Sequence, residues 1–146
     1  MSKKYLYEGV IVPTALYGAE AWVMKSTDRK KVNVLEMNCL RNLVGVSRMD
    51  RVRNEEVRRR AGIERELASR ADQRVLRWFG HVERMDEYRM ARRVLMAEVS
   101  GRRVRGRPRL GWMNGVKVAL GNRGVAAEAA RQCAKDRKAW RALVHM

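Results

Sequence analysis

Apolar residues return along this chain at intervals of three and four, and no segment alternates convincingly with the period of two that a half-buried strand needs. The pattern predicts an all-α fold, an irregular helical bundle of about six helices. Residues 3–24 carry Tyr5, Leu6, Val10, Leu16, Tyr17 and Trp22 in a helix interrupted or restarted at Pro13. A helix over 27–44 follows, with Ser26 or Thr27 as N-cap. Val32, Leu35, Glu36, Cys39, Leu40 and Leu43 share one side of it, and Glu36 is the single polar residue among them. Gly45 stands where a C-terminal glycine belongs. A short helix over 54–61 takes Asn54 as N-cap and Gly62 as its stop, with Glu55 and Glu56 at the positive end of the dipole.

The segment 64–85 predicts the most informative helix. Leu67, Ala71, Val75, Trp78, Val82 and Met85 form a buried stripe. Arg70, Arg74, Arg77, His81 and Arg84 fall on one flank of it, with Asp72 and Glu83 on the other. A line of cations suits the tracking of phosphates, although a solvated helix face has the same pattern. A shorter helix is expected over 88–98. Residues 99–109 then carry five arginines, two glycines and one proline with no acid, as a loop and boundary. Residues 110–120 are weakly helical, Gly121-Asn122-Arg123-Gly124 is a turn, and an alanine-rich helix over 125–144 closes the chain. On that last helix Ala126, Ala130, Cys133, Trp140 and Val144 face one way, and Arg131, Lys135 and Lys138 make a second cationic stripe.

Charge turns this pattern toward a function. The chain has 146 residues and a formal net charge of +17, with 46% hydrophobic residues. That apolar content argues against disorder, and a chain of this length buries roughly 68% of its unfolded surface. An excess of positive charge attracts polyanions over a Debye length or more. Nucleic acid is the expected partner, with an anionic membrane surface as competitor. There are 25 arginines and 8 lysines, and from Arg48 to Arg109 there are 19 arginines, 10 acids and no lysine. The guanidinium fork fits phosphate and stacks on bases; codon bias in a GC-rich genome gives the same preference. Cys39 and Cys133 sit among apolar residues and read as buried free thiols. No long apolar run suggests a signal peptide or a membrane span, so an intracellular, nuclear location is expected.

Arg105-Gly106-Arg107-Pro108-Arg109 resembles the core of an AT-hook, in which glycine permits close approach to a groove floor and flanking arginines enter the narrow minor groove. Generic phosphate contact or a plain basic loop fit the same five residues. Of the tryptophans, Trp78 and Trp140 read as core, and Trp112, directly after the basic loop, is the most credible base-stacking residue, although core packing leads for it too. Catalysis finds little support. Asp28, Asp50, Asp72, Asp86 and Asp136 are scattered, and no nucleophile, base and orienter stand at recognisable spacing. No metal site and no cofactor are expected.

Several stretches together resemble the C-terminal region of reverse transcriptases from non-LTR (LINE-type) retrotransposons. They are Leu16-Tyr17-Gly18-Ala19-Glu20-Ala21-Trp22, Glu36-Met37-Asn38-Cys39-Leu40-Arg41, Arg51 to Arg60, Leu76 to Met85, Gly106-Arg107-Pro108-Arg109 before Trp112, and Ala134 to Arg141. Their order and spacing match across nearly the whole chain. The resemblance implies a thumb-like helical region over 1–98, a basic linker over 99–109 and a C-terminal helical extension over 110–146. It also implies helices that grip RNA, RNA–DNA hybrid or target DNA, without the palm and its paired aspartates. Met113-Asn114-Gly115 departs from the family, where many relatives carry an acidic pair after the matching tryptophan. Gly124-Val125-Ala126-Ala127 departs where a more polar, well-capped helix start is usual.

The expectation is a non-catalytic nucleic-acid-binding fragment. Its phosphate contacts are assigned to Arg58, Arg59, Arg60, Arg70, Arg74, Arg77, Arg84, Arg102, Arg103, Arg105, Arg107 and Arg109, with Trp112 stacking. Two other readings stand beside it: a module that docks on a missing polymerase palm or another protein, and a decayed retrotransposon remnant.

Overall fold

A computed structural model describes residues 3–97, 105–106 and 110–146. The described residues are helical and contain no strand, so the protein is all-α. The chain divides into two compact units, one of residues 1–19 and 24–71, the other of residues 20–23 and 72–146. The division falls inside a helix, and the second unit takes residues from both sides of 99–109.

In the first unit, helix α1 (Lys3–Leu6) runs through a π-helical turn (Tyr7–Ile11) into α2 (Val12–Ala15). Pro13 lies in the first turn of α2, directly after the π-helical turn, where Ile11 and Val12 are already in the right-handed helical conformation. Helix α3 (Ser26–Val44) begins with the Lys25 N–H donating to Asp28 Oδ2 at 3.0 Å. Gly45, at φ 71°, ends it in the left-handed conformation that glycine adopts without a Cβ penalty. Helix α4 (Asn54–Ala61) ends the same way at Gly62, φ 67°. Asn54 is the first residue of α4 rather than its cap; Arg53 holds the cap position, and Asn54 Oδ1 accepts from Arg41 at 3.0 Å. The core contains Tyr7, Leu16, Leu40, Val57, Ile63 and Leu67, all at most 3% exposed.

On α3 the buried face is Glu36, Met37 and Leu40, whereas Leu35, expected inside, is 47% exposed. Glu36 is fully buried and its oxygens are used three times. Oε2 accepts from Arg58 at 2.8 Å, and Oε1 accepts from the Leu67 N–H at 3.0 Å and from the Tyr7 hydroxyl at 3.4 Å. A buried carboxylate needs such partners, because an unpaired one costs several kcal/mol.

Helix α5 (Leu67–Glu83) is followed by α6 (Met90–Met96), α7 (Trp112–Gly121), α8 (Ala127–Lys135) and α9 (Arg137–His145). The single helix expected over 125–144 is therefore two. The break is at Asp136, whose carboxylate accepts from the N–H groups of Lys138 (2.8 Å) and Ala139 (3.3 Å) and caps α9. The second unit's core joins Val75, Leu76 and Phe79 of α5 to Val116 and Leu120 of α7, Ala130 and Ala134 of α8, and Trp140 and Val144 of α9. Its two buried acids are answered locally: Asp72 accepts from Asn122 at 3.1 Å, and Glu83 pairs with Arg92.

Candidate nucleic-acid interface

The arginines divide into those with carboxylate partners and those without. In the first unit, Arg58 bridges Glu36 (2.8 Å) and Glu66 (3.0 Å). Arg59 and Arg60 both bind Glu56 at 2.7 Å, and their hydrogen bonds lower the Glu56 pKa to about 2. Arg70 grips Glu8 through two parallel bonds of 2.8 Å, which hold the Glu8 carboxyl below its usual range. Of these four residues, assigned to phosphates from the sequence, Arg58 and Arg70 tie distant segments of the first unit together, while Arg59 and Arg60 pair with Glu56 on their own helix and stay exposed. Arg105 is exposed. Arg102, Arg103, Arg107 and Arg109 lie outside the described residues.

The second unit gathers several arginines around one groove. A groove of about 860 Å³ is lined on the α5 side by Arg74, Arg77, Trp78, His81 and Arg84. Arg137, Trp140, Arg141, Val144 and His145 of α9 line it as well, together with Glu20. On α5 the cations recur at spacings of three and four, so they share a face of the helix. On α9, Arg137, Arg141 and His145 follow at i, i+4 and i+8 for the same reason. No ion pair among the described residues engages Arg77, Arg137 or Arg141. Arg84 donates to the Ala134 carbonyl at 2.6 Å, and Gln73 Nε2 lies 3.0 Å from His145 Nδ1, so both ends of the groove are tied to the scaffold.

Five guanidinium groups and one carboxylate around one concave surface give it a local excess of positive charge. Arginine offers paired donors that match phosphate oxygens, and cations left without an internal partner are available to an external one. Among the described residues, no cluster of three His, Cys, Asp or Glu could hold a metal ion. No described helix is long and apolar enough to cross a membrane.

The tryptophans also divide. Trp140 is 3% exposed, donates its indole N–H to the Leu76 carbonyl at 3.1 Å and packs on Phe79 with ring centroids 5.7 Å apart. Trp112, expected to stack on bases, is half-buried. Its N–H donates to the Glu20 carbonyl at 2.8 Å, and its ring lies 6.3 Å from that of Phe79. Trp78, expected in the core, is 38% exposed in the groove, 5.5 Å from the His81 ring. Leu76 and Phe79 take the core positions on α5, so Trp78 falls at the margin of the buried arc.

Arg137 and Arg141 were not among the residues singled out from the sequence. The signal that finds them is Asp136: an N-cap aspartate restarts the helical phase and replaces the stripe Arg131, Lys135, Lys138 by the face Arg137, Arg141, His145.

A protein of Caenorhabditis elegans described as transposon-derived and uncharacterized is similar to the chain, 27% identical over 149 residues. The match covers 95% of this chain and 52% of the relative, so the chain spans about half the length of the curated relative it matches. No family model matches. No solved structure matches significantly. The similarity supports a transposon-related origin for the chain.

Proposed function

We propose that the chain is a non-catalytic nucleic-acid-binding module, corresponding to the post-palm, C-terminal part of a reverse transcriptase of the non-LTR retrotransposon type. The observation that carries it is the groove of the second unit, where arginines from α5 and α9 surround one concave surface and three of them have no internal ion pair. The similarity to a transposon-derived protein is consistent with that origin. So are the motifs shared with the LINE-type region, two of which supply α5 and the start of α9. In this reading Arg74, Arg77, Arg84, Arg137 and Arg141 hold phosphates, and the arginines of 102–109 extend the contact along the strand. On the same reading the protein works inside the cell, in the nucleus.

Fluorescence anisotropy with labelled single-stranded RNA, RNA–DNA hybrid and A·T-rich duplex tests it. Binding at low salt that weakens steeply as salt rises is expected. Folded protein that binds none of the three at low salt overturns the reading. Replacing the arginines of 102–109 by glutamine separates their share: unchanged affinity and salt dependence would confine binding to the groove.

A second reading, docking on a polymerase palm or another protein, is favoured by one feature of the first unit. Tyr5, Leu6, Val10 and Tyr17 of the N-terminal helical segment are 49–86% exposed, an apolar set that water does not favour. Sedimentation of the pure chain without nucleic acid tests the self-associating form of that reading.

A further inference from the structure

Resting on the reading above, we propose that the groove takes single-stranded nucleic acid, with one unpaired base stacked on Trp78 while the neighbouring arginines hold the flanking phosphates. Trp78, Trp112 and Trp140 lie on helices α5, α7 and α9 of the second unit, and they are used differently. Trp112 and Trp140 each pack against Phe79 and each give the indole N–H to a backbone carbonyl. Trp78 does neither. It is 38% exposed, its one ring neighbour is His81, tilted by 48°, and its indole N–H has no partner among the described residues. Leaving so large a ring half in water forfeits burial that the fold obtains from the other two.

The surroundings of Trp78 say what would cover it. Arg77 and Arg141 line the same groove without an ion pair, so an occupant brought to the ring must carry negative charge as well as a flat apolar face. A nucleotide has both. In a duplex the bases already stack on one another and offer the ring nothing away from the ends. In a single strand each base has a free π-face, and a ring beside phosphate-binding arginines is the usual platform for it. RNA and DNA single strands share this chemistry.

The test measures the affinity of the full chain for four ligands of one length: single-stranded RNA, single-stranded DNA, an oligonucleotide with abasic sites in place of its bases, and a blunt duplex. It compares the natural protein with Trp78→Leu, which keeps an apolar side chain, and Trp78→Phe, which keeps a π-face; circular dichroism checks that both are folded. Trp78→Leu is expected to weaken binding of the intact single strands roughly five- to hundred-fold. Trp78→Phe recovers most of that loss, and the abasic strand and the duplex are affected less than about two-fold. The RNA and DNA arms rank the two sources of single strand. Equal losses on all four ligands, or no loss on any, overturn the stacking proposal and leave the phosphate-binding groove standing. Failure of the natural protein to bind any ligand removes the groove reading itself.

Discussion

A side chain at Gly80 would collide with Trp140: a Cβ built on Gly80 lies 1.9 Å from Trp140 Nε1. The missing side chain is what lets α9 lay its indole against α5, where Nε1 reaches the Leu76 carbonyl. Glycine inside a helix costs about 1 kcal/mol relative to alanine, so helix propensity alone would make Gly80→Ala stabilising. The contact reverses that sign. Gly80→Ala is expected to destabilise the protein by at least about 2 kcal/mol in urea denaturation. Trp140→Leu should cost less in the Gly80→Ala background than in the natural one, because the clash and the lost packing share one space. A stabilised Gly80→Ala variant would contradict this packing.

Glu36 is expected to be the most sensitive polar residue of the first unit. Its carboxylate is fully buried and joins Arg58, the Leu67 N–H and the Tyr7 hydroxyl. Glu36→Ala leaves the buried Leu67 N–H and Tyr7 hydroxyl without their acceptor and Arg58 with Glu66 alone, and should cost about 2–3 kcal/mol. Glu36→Gln keeps an oxygen that can accept from Leu67, and should cost less. Denaturation midpoints decide; a loss below about 1 kcal/mol for Glu36→Ala would contradict the role.

The Arg70–Glu8 pair gives a pH dependence. The hydrogen bonds from Arg70 hold the folded Glu8 pKa below 4.5, against the opposing effect of partial burial. Its contribution is therefore complete above pH ~4.5 and is lost as pH falls through the lowered folded value. The side chains are part-exposed, so it amounts to about 1 kcal/mol at most. The stability gap between the natural protein and Glu8→Gln should be present at neutral pH and close below pH ~4.5. A gap that persists unchanged into that acid range would rule the pair out as its source.

Asp136 ends one helix and starts the next. Asp136→Ala removes both bonds to the Lys138 and Ala139 N–H groups and should cost about 1 kcal/mol, whereas Asp136→Ser should recover part of it. Thermal unfolding of the three proteins measures the difference.

Much of the fold was legible because local chemistry and tertiary demand agree. Gly45 and Gly62 stop α3 and α4 where a left-handed residue is required. Glu36 was marked as the one acid on an apolar face, and the structure buries it, although three partners distant in sequence could not be read from spacing. The site was legible in part. Arg74, Arg77, His81 and Arg84 were seen as one line and they line one groove. The other wall is not legible from periodicity, because 125–144 reads as one helix and a helix that restarts at Asp136 changes which residues share a face. The division of arginines was also hidden in part. Arg58 and Arg70 are as basic in sequence as Arg77, and only folded geometry brings Glu36 and Glu8 to them, whereas the pairing of Glu56 with Arg59 and Arg60 follows from their spacing of three and four on one helix. Trp78, expected in the core, is 38% exposed, since the periodic stripe on α5 leaves its exact rotation open by about one residue.

The most direct test is the salt dependence of binding to a single-stranded oligonucleotide for three proteins: the natural chain, Arg77→Gln/Arg137→Gln/Arg141→Gln, and Arg59→Gln/Arg60→Gln. Each neutralised phosphate contributes about 0.7 to the log–log slope for a single strand. The groove variant should therefore lose affinity and have a slope shallower by about 2, while the Arg59/Arg60 variant keeps the natural slope. Equal slopes for the natural and groove variants, or a loss confined to the Arg59/Arg60 variant, would contradict the assignment of the phosphate contacts to the groove.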